Sequence, residues 1–273
     1  MGMPMVRRLL EAGRDVTVFA RRREVRDVCA LAGAAVTPDI RAAVREVDAV
    51  LVCLFADAQV LELALGPDGF IAAMRPGATL IVHTTGSPVM TRTLAEHGAD
   101  RDIPVVEAPV SGSAQDVAEG RVTVLLGGAP ADLEPVRAIV GAYGDPILTI
   151  GPLGSALAVK LLNNALFAAQ LQLAGDVERV AAGFGVDMGA VAEAIQHSSG
   201  SSYAMGVVER FGSLASVVAA AGHFLQKDVA LVTEVALDLD LDLGMLGQVN
   251  RDGPLRFLAR GDVGGGATPP STT

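Results

Sequence analysis

The chain has no tryptophan, two tyrosines and two cysteines in 273 residues, and each shortage narrows what it can be. With 51% hydrophobic residues but 4% aromatics, its core has to be aliphatic, built from Ala, Val and Leu. Cys29 and Cys53 lie in apolar segments without metal-ligand spacing, which predicts buried thiols in a reducing compartment. His83, His97, His197 and His223 are scattered, with no His-x-x-x-His or Cys-x-x-Cys pattern, so no metal is expected. No apolar run reaches the roughly 18 uncharged residues of a membrane span, and no signal-peptide pattern opens the chain; a cytoplasmic protein with no membrane partner is expected. The formal charge of -10 argues against nucleic acid as a general partner. An anionic small-molecule substrate would then depend on local basic residues.

What is present is a regular alternation. Residues 15–20, 35–37, 48–54 and 78–83 read as short β-branched or apolar strands, and residues 1–13, 23–32, 39–46, 59–65 and 88–97 as helices. Residues 103–110, 121–126 and 146–150 add three strands, with a helix over 131–140. Such alternation predicts α/β architecture with a doubly wound sheet over residues 1–151. Beyond Gly151 no convincing strand remains, and long Ala-rich helices predict an all-α domain over 152–260. Residues 261–273, rich in Gly, Pro, Ser and Thr, have the composition of a disordered tail.

At the change of class stands Gly151-Pro-Leu-Gly-Ser-Ala-Leu-Ala-Val-Lys-Leu-Leu-Asn-Asn164. Read as the start of a helix reaching about residue 183, it sets Lys160 and Asn164 one turn apart on one face of an otherwise apolar segment. A lysine at the solvated edge of a core helix is the plainer alternative. The helix is apolar on more sides than one small helical domain can cover, which predicts a homodimer or larger assembly. In open α/β sheets ligands bind beyond the carboxyl ends of the strands. Here those loops are Arg21-Arg-Arg23, Phe55-Ala-Asp57, Thr84-Thr-Gly-Ser-Pro88 and Ser111-Gly-Ser113. Arginine after the second strand of a dinucleotide-binding unit suits a 2′-phosphate, so Arg21 and Arg22 favour NADP over NAD; an exposed basic turn is the alternative. Such a unit opens with a strand and G-x-G-x-x-G. This sequence starts after both, and Gly2 corresponds only to the last glycine.

Four motifs in order resemble the β-hydroxyacid dehydrogenase family, which includes 3-hydroxyisobutyrate dehydrogenase and tartronate semialdehyde reductase. Met1-Gly-Met-Pro-Met resembles the end of the family's G-x-G-x-M-G-x-P-M. Glu107-Ala-Pro-Val-Ser-Gly-Ser113, continuing to Gly127-Gly128, is similar to D-A-P-V-S-G-G. Lys160-Leu-Leu-Asn-Asn164 matches K-x-x-N-N, and Phe224-Leu-Gln-Lys-Asp228 matches F-x-x-K-D. The resemblance covers about residues 1–240 and implies a Rossmann-type sheet followed by an all-α domain. It also implies hydride transfer between NAD(P) and a small 3-hydroxy acid or its carbonyl partner. Lys160 would be the general acid/base and Asn164 would hold substrate or lysine. Ser111 and Gly112 would bind the substrate carboxylate. Lys227 would lie near the nicotinamide side, contacting substrate or cofactor, Thr85 near the nicotinamide ribose and Gly2 at the pyrophosphate. Burial beside a positive nicotinamide would lower the lysine pKa from about 10.4 toward the ~7 to 8 useful for proton transfer.

The sequence departs from the family pattern at Glu107 (usually Asp), Ser113 (usually Gly) and Gly86 (commonly branched), and after Asp242 the match is poor. In the expected strand order the absent first strand is central, so two neighbouring strands should lack backbone partners. The start is therefore expected to be internal to a longer reading frame. An imine reductase-like enzyme is the alternative activity, disfavoured by Lys160, and a non-catalytic truncated homologue the alternative from another class.

Overall fold

The computed structural model describes residues 1–255; the expected tail at 261–273 and the end of the expected 152–260 domain lie outside them. Two compact units follow one another along the chain, Met1–Lys160 and the chain from Leu161 on. The first unit alternates helix and strand in the order α1 (Gly2–Glu11), β1 (Thr17–Phe19), α2 (Arg23–Leu31), β2 (Ala35–Thr37), α3 (Ile40–Val44), β3 (Ala49–Val52) and α4 (Asp57–Leu65). It continues with β4 (Thr79–Val82), α5 (Pro88–Ala99), β5 (Val105–Glu107), β6 (Val110–Ser111), α6 (Ala114–Ala118), β7 (Val122–Gly127), α7 (Pro130–Val140) and β8 (Gly144–Gly151). Next comes α8 (Ser155–Phe184), whose first residues belong to this unit and the rest to the second.

β3, β4 and β5 form the parallel, doubly wound part of the sheet, with Leu80 opposite Val105 and Val82 opposite Glu107. Beyond β5 the sheet becomes mixed: β7 runs antiparallel to β5 and β6, and β8 runs parallel to β7. The single strand expected over 103–110 is two, because Pro109 has no N–H to give a ladder and the chain leaves β4's side there to pair with β7. β1 pairs with β2 alone, and no ladder joins β1 to β3 among the described residues. The two sheets nevertheless share a core. Phe19 of β1 packs in the cluster that holds Val50, Leu80 and Val82, and Val16 packs with Ala49 and Leu51 in the cluster built on Ile81 and Val106. Side-chain burial thus holds together two strands that the backbone does not connect.

Local caps explain several boundaries. Asp39 accepts from the N–H groups of Arg41 and Ala42 at the start of α3, and Ser87 accepts from Met90 N–H at the start of α5. α6 was not evident in the sequence; it is started by a capping box between Ser113 and Asp116. Cys29 is buried, with its Sγ 3.6 Å from Met3 Sδ, but Cys53 is exposed, against the expectation of two buried thiols. It lies one residue past the end of β3, where the strand has left the sheet.

In the second unit the rest of α8 is followed by α9 (Met188–Gln196), α10 (Tyr203–Phe211), α11 (Leu214–Asp238) and α12 (Gly244–Asp252), and no strand occurs among its described residues. One cluster packs Ala168, Leu171 and Ala174 of α8 against Ala204, Val208, Leu225 and Val229. Asn250 Nδ2 donates to Ala165 O at 3.0 Å, fastening α12 to α8. Among the described residues no single helix is long and apolar enough to cross a membrane.

One polar pair sits deep in the first unit. His83, one residue after β4, is 3% exposed, and Tyr143 is wholly buried. A carbonyl only accepts, so His83 Nδ1–H donates to Ala108 O at 2.6 Å, and Nε2 accepts from the Tyr143 hydroxyl at 2.8 Å. Burial drives the imidazole pKa from 6.5 down to about 4, opposed by the Ala108 contact. An unfolded histidine takes up a proton below about 6.5 whereas the folded one stays neutral. This pair therefore stabilises the fold fully above that pH and progressively less as the pH falls toward 4. By linkage the loss between pH 7.5 and pH 5 is about 2 kcal/mol. Denaturant unfolding of wild type and His83→Gln should show that increment in wild type alone; equal pH dependence in both would remove the assignment.

Candidate active site

The first unit presents its loops at the carboxyl ends of β1, β4 and β6. Arg21 and Arg22 are exposed just after β1. Their turn is fixed from behind by Arg26, whose Nη1 donates to Ala20 O at 2.7 Å and Arg21 O at 2.8 Å. α1 opens at Gly2 with no side-chain cap, and a Cβ at Gly2 would meet nothing within 4 Å. Exposed guanidinium groups after the strand of such a unit suit the phosphates of a dinucleotide. Thr85 is half-buried in the loop after β4, and its neighbour Thr84 accepts from Leu54 N–H at 2.9 Å, tying that loop to the end of β3. Asp57 Oδ2 accepts from Ser87 N–H at 2.8 Å and Ser87 Oγ–H at 2.7 Å. A Cβ at Gly86 would collide with Asp57 Oδ1, so the missing branch at 86 is what lets Asp57 hold this loop.

Ser111 ends β6 half-buried and Gly112 follows it exposed. Gly112 has φ +142°, a conformation that side chains rarely adopt, and a Cβ there would approach Asp116 and Val122 at 3.1 Å. Ser113, in place of a glycine, spends its hydroxyl on α6: it donates to Asp116 Oδ2 at 2.7 Å and accepts from Asp116 N–H at 3.2 Å. The turn is thus closed on its far side, leaving the Ser111 hydroxyl and the glycine backbone as the groups it offers to a ligand.

Lys160 lies near the start of α8 and is 7% exposed. In the second unit Asn164 donates through Nδ2 to Asp228 Oδ2 at 2.5 Å and accepts through Oδ1 from Asn163 Nδ2 at 3.1 Å. Asp228 Oδ1 is 2.6 Å from Lys227 Nζ. The structure therefore brings Asn164 and Lys227 together through Asp228, a residue that the sequence reading carried only as the last letter of a motif. Arg26 and His83 were also missed as supports, since each works through a backbone carbonyl that no motif marks. A signal was available for the lysines: of 21 basic residues only two are Lys, and both fall in matched motifs. Among the described residues no group of three His, Cys, Asp or Glu could hold a metal.

Comparison with known proteins agrees along the chain. The family model for the NAD binding domain of 6-phosphogluconate dehydrogenase matches residues 1–151, and that for the NAD-binding domain of NADP-dependent 3-hydroxyisobutyrate dehydrogenase matches residues 154–252. The NAD-dependent L-serine dehydrogenase of Pseudomonas aeruginosa is 33% identical over 209 residues, 76% of this chain and 70% of that protein. Mycobacterium tuberculosis 3-hydroxyisobutyrate dehydrogenase, solved with L-serine, superposes with a TM-score of 0.81 at 22% identity, covering 91% of this chain and 87% of that one. An imine reductase from Streptomyces aurantiacus superposes with a TM-score of 0.65 at 15% identity, covering 92% and 90%; at such identities both structures speak for the fold. The two family models and the L-serine dehydrogenase together show that this chain belongs to the β-hydroxyacid dehydrogenase family of NAD(P)-dependent oxidoreductases.

Proposed function

We propose that the chain oxidises a small 3-hydroxy acid, or reduces its carbonyl partner, with NADP as the preferred cofactor and Lys160 as general acid/base. The observation that carries this is the burial of Lys160 in a matched K-x-x-N-N motif, since a sheltered amine needs a reason to be there. The nicotinamide supplies or accepts the hydride when bound. In the oxidative direction Lys160 takes the proton from the substrate hydroxyl as the carbonyl forms; in reduction it returns that proton to the oxygen. Ser111 Oγ and the Gly112 N–H hold the substrate carboxylate. Asn164, with its amide fixed at both ends, orients substrate or lysine, and Lys227 serves substrate and the nicotinamide side of the cofactor. Gly2, Arg21, Arg22 and Thr85 hold the cofactor, the two arginines reading a 2′-phosphate. The named substrates of relatives, L-serine and 3-hydroxyisobutyrate, are both 3-hydroxy acids with a carboxylate for the Ser111–Gly112 turn.

An imine reductase-like activity is the second reading, and the match of Lys160-Leu-Leu-Asn-Asn164 to the family's K-x-x-N-N disfavours it. The same chain is proposed to act as a homodimer or larger assembly. Leu162, Leu166, Leu173, Val180 and Phe184 are 45% to 79% exposed along α8, spaced by four or seven residues and so on one face. Light scattering should give at least a dimer, and a monomer would contradict this.

Steady-state rates with a panel of 3-hydroxy acids and cyclic imines, alongside fluorescence titration with NADPH and NADH, test the proposal. Wild type should turn over a hydroxy acid and bind NADPH more tightly than NADH. Lys160→Ala should lose at least about 100-fold in kcat with its cofactor affinity retained. Unchanged turnover in Lys160→Ala, or turnover of imines alone, would overturn it.

A further inference from the structure

Six of the helices are capped by the residue just before them: Asp39 for α3, Ser87 for α5, Ser113 for α6, Asp187 for α9, Ser202 for α10 and Ser213 for α11. α8 is different. Its first turn is met by a residue 47 positions earlier, Glu107 at the end of β5. Glu107 Oε1 accepts from Gly154 N–H at 2.8 Å and from Thr91 Oγ–H at 2.6 Å. Oε2 accepts from Ala156 N–H at 3.1 Å and Leu157 N–H at 3.3 Å. The side chain has no exposed surface. Burial pushes its pKa above the usual carboxylate range, and the four donors oppose that shift without cancelling it. Three of the four partners are backbone amides, which only donate, and they set the carboxyl group at the positive end of a 30-residue helix.

A local Ser or Asp caps a helix without burying a charge, so burying one calls for another explanation. Position supplies it. Glu107 is followed directly by Ala108-Pro-Val-Ser-Gly112, the turn proposed to hold the substrate carboxylate, and Ala156 precedes Lys160 by one helical turn, a rise of about 6 Å. One carboxylate therefore fixes both the root of the substrate turn and the turn of α8 that projects the lysine, and Thr91 adds α5 to the same brace. Room for it is made by Gly127, where a Cβ would stand 2.7 Å from Glu107 Oε2 and 3.0 Å from Ala156 Cβ.

We propose that Glu107 is a positioning residue for Lys160, holding the start of α8 in register with the substrate turn. This rests on the reading of Lys160 as the proton-handling group, but it has a readout that does not. The chain contains two lysines, so protein labelled with 13C at lysine Cε gives two methylene signals, assigned by the loss of one in Lys160→Ala. In Glu107→Gln, where an amide NH2 must face backbone donors, the Lys160 signal should move or broaden while the Lys227 signal stays. kcat should fall at least about tenfold, with NADPH affinity within about twofold by the same geometric argument. Glu107→Asp, which keeps the charge, should recover most of the rate. Should Glu107→Gln fail to fold, Thr91→Val removes one donor and leaves the carboxylate; it should give a smaller shift of the Lys160 signal alone. An unmoved Lys160 signal in a folded variant, or an Asp variant no better than Gln, would overturn the brace. A moved signal together with full turnover in Lys160→Ala would leave the brace standing and remove the catalytic reading instead.

Discussion

The first turn of α8 is the point on which the proposed chemistry depends. A lysine sheltered from water can serve as acid or base only if its helix is held in one place, and the amides of Gly154, Ala156 and Leu157, donating to a buried carboxyl group, hold it. That carboxylate ends a strand in the middle of the sheet, so the sheet's own rigidity is passed to the helix. The cost of burying the carboxyl group is opposed by four hydrogen bonds and by the helix terminus, and removal of any one of them leaves a buried group short of a partner.

The same economy of fixing loops through a single side chain recurs around the sheet. Arg26 fastens the turn after β1, Thr84 and Asp57 the loop after β4, and Ser113 with Asp116 the far side of the substrate turn. Each acts on a loop at the carboxyl end of a strand, where an open α/β sheet binds its ligands. The exposed Arg21, Arg22 and Gly112, with the half-buried Ser111 hydroxyl, are groups that the proposed cofactor and substrate require.

Much of this was legible in the sequence, and the reasons are local. Apolar runs and β-branched residues marked β3, β4 and β7, and the absence of proline from 156 to 183 marked α8. Short-range chemistry was partly missed: Pro109 splitting a strand and the Ser113–Asp116 capping box were visible but were not read as such. Side-chain partnerships were beyond reach. Glu107 with the α8 amides, His83 with Tyr143 and Asn164 with Asp228 join residues 47 to 64 positions apart, and nothing in a single sequence says which buried polar group will find which partner. The motifs carried Lys160, Asn164, Ser111 and Lys227 as residues, but not what holds them.

The central claim, that the Lys160 amine moves a proton at the substrate oxygen, is tested most directly by chemical rescue. Lys160→Ala enzyme, saturated with cofactor and supplied with a 3-hydroxy acid that wild type oxidises, is assayed with a series of small primary amines of differing basicity. The account predicts that ammonia or methylamine restores part of the rate and that the rescued rate rises with the basicity of the amine. A variant as active as wild type without any amine, or a cofactor-bound variant that no amine rescues, would contradict it.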